Sequence, residues 1–328
     1  MIIDRRRLLL IGDAMLAALA LRSLGAPVHA ETYPARPATI IVPFGAGTVT
    51  DTVARMLADH LQRSFGRPFI VENKGGANGM IGASFVARAR PDGYTLLFST
   101  NTTQSAITSL FKSVPYDPLK DFAPVGRLVD LPSLLVVNNK LPVKTVQDFI
   151  AYAKSHPHTL QYGYGNVSGQ IAGEMLKKRT GIDMTAVPYR GNPQGLTDLM
   201  AGSIAAMVVD TGTGLPQVAA GTVRPLAMVS PDRSALLADL PTLSETVTPG
   251  FGFVAWGGLF APAGTPPEIV TTLAKASETL VTAAEFKAKV KNMGVEAKWT
   301  GPQAFPDFLK AESVRWSSMV KEAGIVPQ

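Results

Sequence analysis

Two short stretches carry the residue types best suited to holding a ligand. The first is "IVPFGAGTVTDTVAR", Ile41 to Arg55. It runs from an apolar strand through a loop of small residues into an amphipathic helix, so its backbone N–H groups face whatever lies above the strand end. It contains no lysine and no arginine before Arg55, and it matches neither G-x-x-x-x-G-K-[ST] nor G-x-G-x-x-G. Backbone amides and threonine hydroxyls without a cation suit a carboxylate better than a phosphate. Taken alone, the loop reads equally well as a plain βα turn. The second stretch is "YGYGNVSGQ", Tyr162 to Gln170. It also ends a strand and opens a helix, and its glycines spell G-x-G-x-x-x-G, one residue longer than a dinucleotide fingerprint. Two such loops facing each other across a cleft would bring two helix N-termini onto one small anion.

Other candidates point elsewhere. The triplet Asp210-Thr211-Gly212 matches an aspartic-protease motif, but that chemistry needs two aspartates sharing a proton and the triplet occurs once. His156 and His158 have the spacing to chelate a metal, although a polar turn is the simpler reading. His60 borders the apolar face of its helix. Trp256 lines a cleft or packs in a core, with packing favoured. No histidine stands beside a serine in a nucleophile-elbow pattern, so a hydrolase has no support. The chain has no cysteine, which rules out disulfides and thiolate metal sites. Nothing resembles a basic nucleic-acid footprint.

The elements that must position these loops alternate strand and helix. Thr39–Val42, "PFIVEN" and "YTLLFST" read as strands separated by a helix over Thr50–Phe65 and one through "IGASFVARA", a parallel β-α-β-α-β unit. Thr50 is the expected N-cap of the first helix, and Asp51 suits its positive end. A second unit follows: strands "SLLVVN", "LQYGYG", "MTAVPY", "AAMVVD" and "VRPLAMVS", with helices from Thr145, through "QIAGEMLKKR" and through "PQGLTDLMAG". After "FVAWGGLFAPAGTPP" the chain turns helical, and this tail is expected to return over the first sheet. Before all of this, residues 1–30 have a basic start at Arg5, Arg6 and Arg7, an apolar run and a small-residue end at Val28-His29-Ala30. That order reads as a secretory signal cleaved after Ala30 rather than a membrane anchor, and "DRRRLL" also fits twin-arginine export. Cleavage lowers the formal charge from +6 to +4, because four arginines and two aspartates leave.

Segments spread from Tyr33 to Gln328 carry a resemblance. "YPARPATIIVPFGAGTVTDTVAR", "VENKGGANGMIGA", "PDGYTLLF", "VPYDPLKDFAPV", "VPYRGNPQGLTDLMAG", "FAPAGTPPEIV" and "AESVRWSSMVKEAGIVPQ" occur in the order and spacing of the Bug-type receptors. The chain therefore resembles the substrate-binding proteins of the tripartite tricarboxylate transporter family. The resemblance implies an α/β, periplasmic-binding-protein-like fold (type II), with two α/β lobes, a hinge and a ligand cleft. Lobe 1 is expected over residues 34–132 plus 255–328, and lobe 2 over 133–254. It further implies a periplasmic monomer that performs no reaction, needs no cofactor or metal, binds a small organic acid and meets integral membrane transporter subunits. A receptor feeding a sensor is the alternative.

The implied grip on the carboxylate falls to the first loop (Phe44, Gly45, Ala46, Gly47, Thr48, Thr50 and Asp51) and to Tyr164, Gly165, Asn166, Ser168 and Gln170. Asn101 and Thr102, after the third strand, and Tyr189 and Arg190 line the remainder. Asp210 matches a position that meets a ligand's amino or hydroxyl group. The chain departs from the family pattern at Thr48 and Val49, where a second glycine and a small residue are usual. It also departs at Tyr164, and at Gln104 and Gln170, which stand at or near positions where histidine is common. These departures predict a ligand whose distal half differs from a simple dicarboxylate.

Overall fold

The computed structural model describes residues 33–328, and Arg36–Gln328 form one compact unit. The expected export signal and its cleavage point lie outside the described residues. In chain order the strands and helices are β1 (Ala38–Val42), α1 (Val49–Phe65), β2 (Phe69–Asn73), α2 (Met80–Ala87) and β3 (Thr95–Thr100). A π-helical turn at Thr102–Ala106 leads into α3 (Ile107–Leu110), then β4 (Phe122–Leu131) and β5 (Ser133–Asn138). There follow α4 (Val146–Ser155), β6 (Gln161–Tyr164), α5 (Val167–Thr180), β7 (Thr185–Pro188), α6 (Asn192–Ala201) and β8 (Ala206–Asp210). The chain ends with α7 (Thr211–Ala219), β9 (Val223–Met228), α8 (Leu243–Thr246), β10 (Ala255–Pro262), α9 (Pro267–Thr282), α10 (Ala284–Asn292), β11 (Glu296–Thr300) and α11 (Phe305–Ala323).

Two sheets result. The first has the order β11-β4-β10-β3-β1-β2, and the second β7-β6-β8-β5-β9. β1 pairs parallel with β2 and β3, as the β-α-β-α-β pattern requires, while β10 returns antiparallel to β3 and β4. In the second sheet β6 is parallel to β7 and β8, and β5 runs antiparallel to β8 and β9. The all-buried run of β5 reflects cover on both faces. Leu135 and Val137 join one core, and Leu134 and Val136 join the other, as the two-residue period dictates.

The sequence pattern does not foresee three strands, β4, β10 and β11. β4 contains Pro124 and Gly126, which read as loop. Pro124 is accommodated where the register with β10 shifts, beyond the stretch that pairs with β11. The N-cap of α1 is Thr48, not Thr50. The Thr48 hydroxyl accepts from the Asp51 amide at 3.3 Å, while Thr50 is buried in the first turn.

The tail does more than return over the first sheet. α9 packs on β4 and α1. α11 joins both cores: Phe305 and Leu309 enter the core of the first sheet, and Trp316, Met319, Val320 and Ala323 enter that of the second. Midway along α11 the buried Glu312 accepts from the indoles of Trp256 at 2.9 Å and Trp316 at 2.8 Å. Trp256 is thus a core residue with its one polar atom satisfied.

Candidate functional site

The carboxyl ends of β1, β3, β6, β7 and β8 open on a single cavity of about 650 Å³, counting its mouth. Its enclosed part is about 70 Å³. Four helices begin on its wall: α1 at Thr48–Thr50, α5 at Asn166–Ser168, α6 at Gly191–Pro193 and α7 at Asp210–Thr213. Each N-terminus carries a partial positive charge and free N–H groups. Three of them have a side-chain cap: Thr48 accepts from Asp51, Asn166 from Gly169 at 2.8 Å, and Asp210 from Thr213 at 2.8 Å. The fourth, α6, follows Gly191 and has none.

The charged side chains on the wall are Arg190 and Asp210. Arg190 is exposed and forms no ion pair or side-chain hydrogen bond among the described residues. Asp210 is committed: one oxygen accepts from the Thr213 amide and hydroxyl, and the other from the Asn192 amide group. Phe44, Val49, Leu131, Pro193 and Ala255 supply apolar surface.

The two sides touch around this cavity. Asn101 donates to the Ser168 hydroxyl at 3.3 Å, and Thr211 donates to the Gly294 carbonyl at 2.6 Å. Gly212 packs so closely on Val49 that an added Cβ would fall 2.4 Å from Val49 Cγ2.

A match to the family model described as tripartite tricarboxylate transporter family receptor spans residues 53–325. The chain belongs to that family. Protein BugT of Bordetella pertussis is 36% identical over 313 residues, covering 93% of this chain and 95% of the relative. Among solved structures, R. palustris Rpa4515 with adipate superposes with a TM-score of 0.87 at 36% identity, covering 90% of this chain and 100% of that one. MatC from Rhodopseudomonas palustris, with bound malate, gives 0.82 at 31% identity, covering 88% and 100%. The receptor thus has the two-sheet α/β fold of periplasmic solute-binding proteins, and its family consists of receptors rather than enzymes.

Ten of the residues singled out from the sequence lie on the cavity wall: Phe44, Thr48, Thr50, Asn101, Thr102, Gly165, Asn166, Ser168, Arg190 and Asp210. Seven lie off it, for local reasons. Gly45, Ala46 and Gly47 form the exposed outer bend of the first loop. Asp51 is buried and turned into that bend, where its carboxylate accepts from the Gly47 amide at 3.0 Å, Asn73 at 2.9 Å and Arg55 at 3.0 Å. Burial alone would raise its pKa, but Arg55, the Gly47 amide and Asn73 together hold it below the usual carboxylate value. Tyr164 follows the alternation of β6 and faces the same core as Tyr162. Gln170 is two helical positions past Ser168, about 200° around α5 from the wall. Tyr189 is anchored away from the cavity by a 2.8 Å bond from its hydroxyl to Asp198.

Sequence reasoning misses Ser133, Asn192 and Thr213 on the wall. Asn192 and Thr213 stand at strand–turn–helix junctions of the same kind as the two glycine loops, so that signal was present. Ser133 follows the Pro132 crossover and carries no such signal. The candidate chelators lie elsewhere: His156 stacks on Tyr152 and bonds the Ser155 hydroxyl, and His158 pairs with Asp183. Among the described residues no group of three or more His, Asp or Glu is placed to hold a metal.

Proposed function

We propose that this receptor captures a small organic acid between lobe 1 (34–132 plus 255–328) and lobe 2 (133–254) and delivers it to integral membrane subunits of a tripartite transporter. It does so as a periplasmic monomer freed of its signal after Ala30. The observation that carries this reading is the convergence of four helix N-termini on one cavity whose only uncommitted charge among the described residues is a cation, Arg190. The ligand's carboxylate sits between the starts of α1 and α5, within reach of Thr48, Thr50, Gly165 and Ser168. Arg190, Asn192 and Asp210 meet the rest of the molecule. The adipate and malate in the two similar structures support a carboxylate as the ligand class.

No bond is made or broken. The ligand's contacts to both walls favour the closed arrangement over the open one, and that difference is the signal passed to the membrane subunits. A thermal-shift screen of aliphatic carboxylates against their matched amides tests the reading. An acid at 100 times its Kd adds about 2.7 kcal/mol of stability, and its amide adds none. Equal stabilisation by acid and amide would remove the carboxylate from the account.

A further inference from the structure

The chain passes between the two sheets at Pro132, which separates β4 from β5, and again between Phe253, in the second core, and Trp256, in the first. It bridges them a third time midway along α11, between Leu309 in the first core and Trp316 in the second. Glu312 bonds the last two of these crossings together. Its Oε2 accepts from the indoles of both Trp256, at 2.9 Å, and Trp316, at 2.8 Å. Its Oε1 accepts from Arg315 at 3.3 Å, and Arg315 donates onward to the Gly252 carbonyl at 3.4 Å. The remaining crossing is one strand away, because Trp256 pairs across β10–β4 with Asp130, two residues before Pro132. Leu131, Ser133 and Ala255, beside these crossings, line the cavity.

Core packing alone does not call for a carboxylate at this point. Phe305 and Phe308 already meet Trp256 edge-on, with centroids 5.6 and 5.5 Å away, and Phe253 meets Trp316 at 5.0 Å. A buried carboxylate is costly unless it is well bonded, and apolar replacements of such groups are often neutral or stabilising. What the carboxylate adds is one oxygen shared by a donor from each core. Beyond it, the end of α11 is tied to α5: Arg179 pairs with Glu322 at 2.6 Å, and Lys178 donates to the Glu322 carbonyl at 2.8 Å.

We infer that Glu312 is a positioning residue for ligand binding, the pin about which the two lobes turn, and that the half of α11 beyond it travels with lobe 2. This rests on the open-and-closed reading above and adds where the motion is centred. With Trp256 and Trp316 held to one oxygen, the lobes are restricted to a rotation that brings the starts of α1 and α5 back into alignment. Without the pin they sample other orientations, and the closed arrangement becomes a smaller fraction of the ensemble.

The test compares wild type, Glu312→Leu and Glu312→Gln by small-angle scattering without ligand and by calorimetry with adipate, malate and glutarate. Glu312→Leu has a larger radius of gyration, and its Kd rises about tenfold for every acid that wild type binds, with the ranking of acids unchanged. Glu312→Gln keeps an oxygen that both indoles can reach and restores both readouts to within about twofold of wild type. If Glu312→Leu does not fold, Trp316→Phe cuts the lobe 2 side of the pin alone and shifts both readouts in the same direction. A lower melting temperature with radius of gyration and Kd unchanged well below melting marks a merely structural role and overturns the inference. Should wild type bind none of the three acids, the carboxylate reading falls, and the ligand-free scattering still decides for or against the pin. In crystals with and without a bound acid, both indole bonds to Glu312 persist, whereas loss of either bond in one state overturns the inference.

Discussion

The two walls of the cavity are built from the same unit, a strand feeding a helix through a small-residue loop, yet they use their carboxylates in opposite ways. On the β1–α1 side Asp51 is buried inside its own loop, where it binds the Gly47 amide, Asn73 and Arg55. What that wall shows the cavity is mostly backbone, hydroxyl and apolar surface: Phe44, Thr48, Val49 and Thr50. On the β7–α6 and β8–α7 side Asp210 stays on the wall, orients Asn192, and stands with the unpaired Arg190. In the proposed site, the first wall fixes shape and leaves its helix dipole to attract a small anion, and the second carries the side chains proposed to tell one acid from another.

This division can be broken from either side. The largest effect is expected within the second wall, where the start of α5 meets the start of α6. A Cβ on Gly165 would fall 2.2 Å from the Asn192 amide nitrogen and 2.3 Å from the Gly191 carbonyl carbon. Gly165→Ala must displace the α6 start, lowering affinity for the preferred acid about 100-fold, or about 2.7 kcal/mol by titration. Next is Gly212→Ala, which sets a methyl against Val49 without touching the chemistry of either wall. Affinity should fall about tenfold, with the ranking of acids unchanged and with ligand-induced compaction reduced in small-angle scattering.

Asp51→Asn tests the first wall alone. It should cost about 1 kcal/mol of stability in denaturant melts, since Arg55 is half exposed and its share is screened, while the ranking of acids is kept. The pH dependence has a definite sign. The folded-state pKa of Asp51 is depressed below its ordinary 3.8, so its stabilisation is complete at neutral pH and is lost as the pH falls below about 4. The gap between wild type and Asp51→Asn should therefore close in acid. The smallest effect is Arg190→Gln: about threefold weaker binding of dianions, and a weaker dependence of affinity on salt.

The sequence made the helix–strand alternation and the two glycine loops readable because both depend on local pattern. It did not reveal β4, where Pro124 and Gly126 break the strand pattern and a register shift absorbs them. Nor did it reveal that α11 would join two cores, since its apolar stripe is the same whichever partner it meets. Residue type marked loops that line the cavity but not the direction of each side chain. Asp51 looked like a ligand contact and is a loop brace, because Arg55 one turn on and Asn73 on the neighbouring strand satisfy it from behind. Asn192 stands at a strand–turn–helix junction that the sequence shows, but not its link to Asp210, eighteen residues away, which takes one end of its amide.

The most direct test of the account is a crystal structure with the acid that most stabilises the protein. The account predicts one carboxylate held from both sides, by Thr48 or Thr50 at the start of α1 and by Gly165 or Ser168 at the start of α5, with the remainder of the ligand against Arg190, Asn192 and Asp210. A ligand touching only one wall, or one seated outside this cavity, would contradict it.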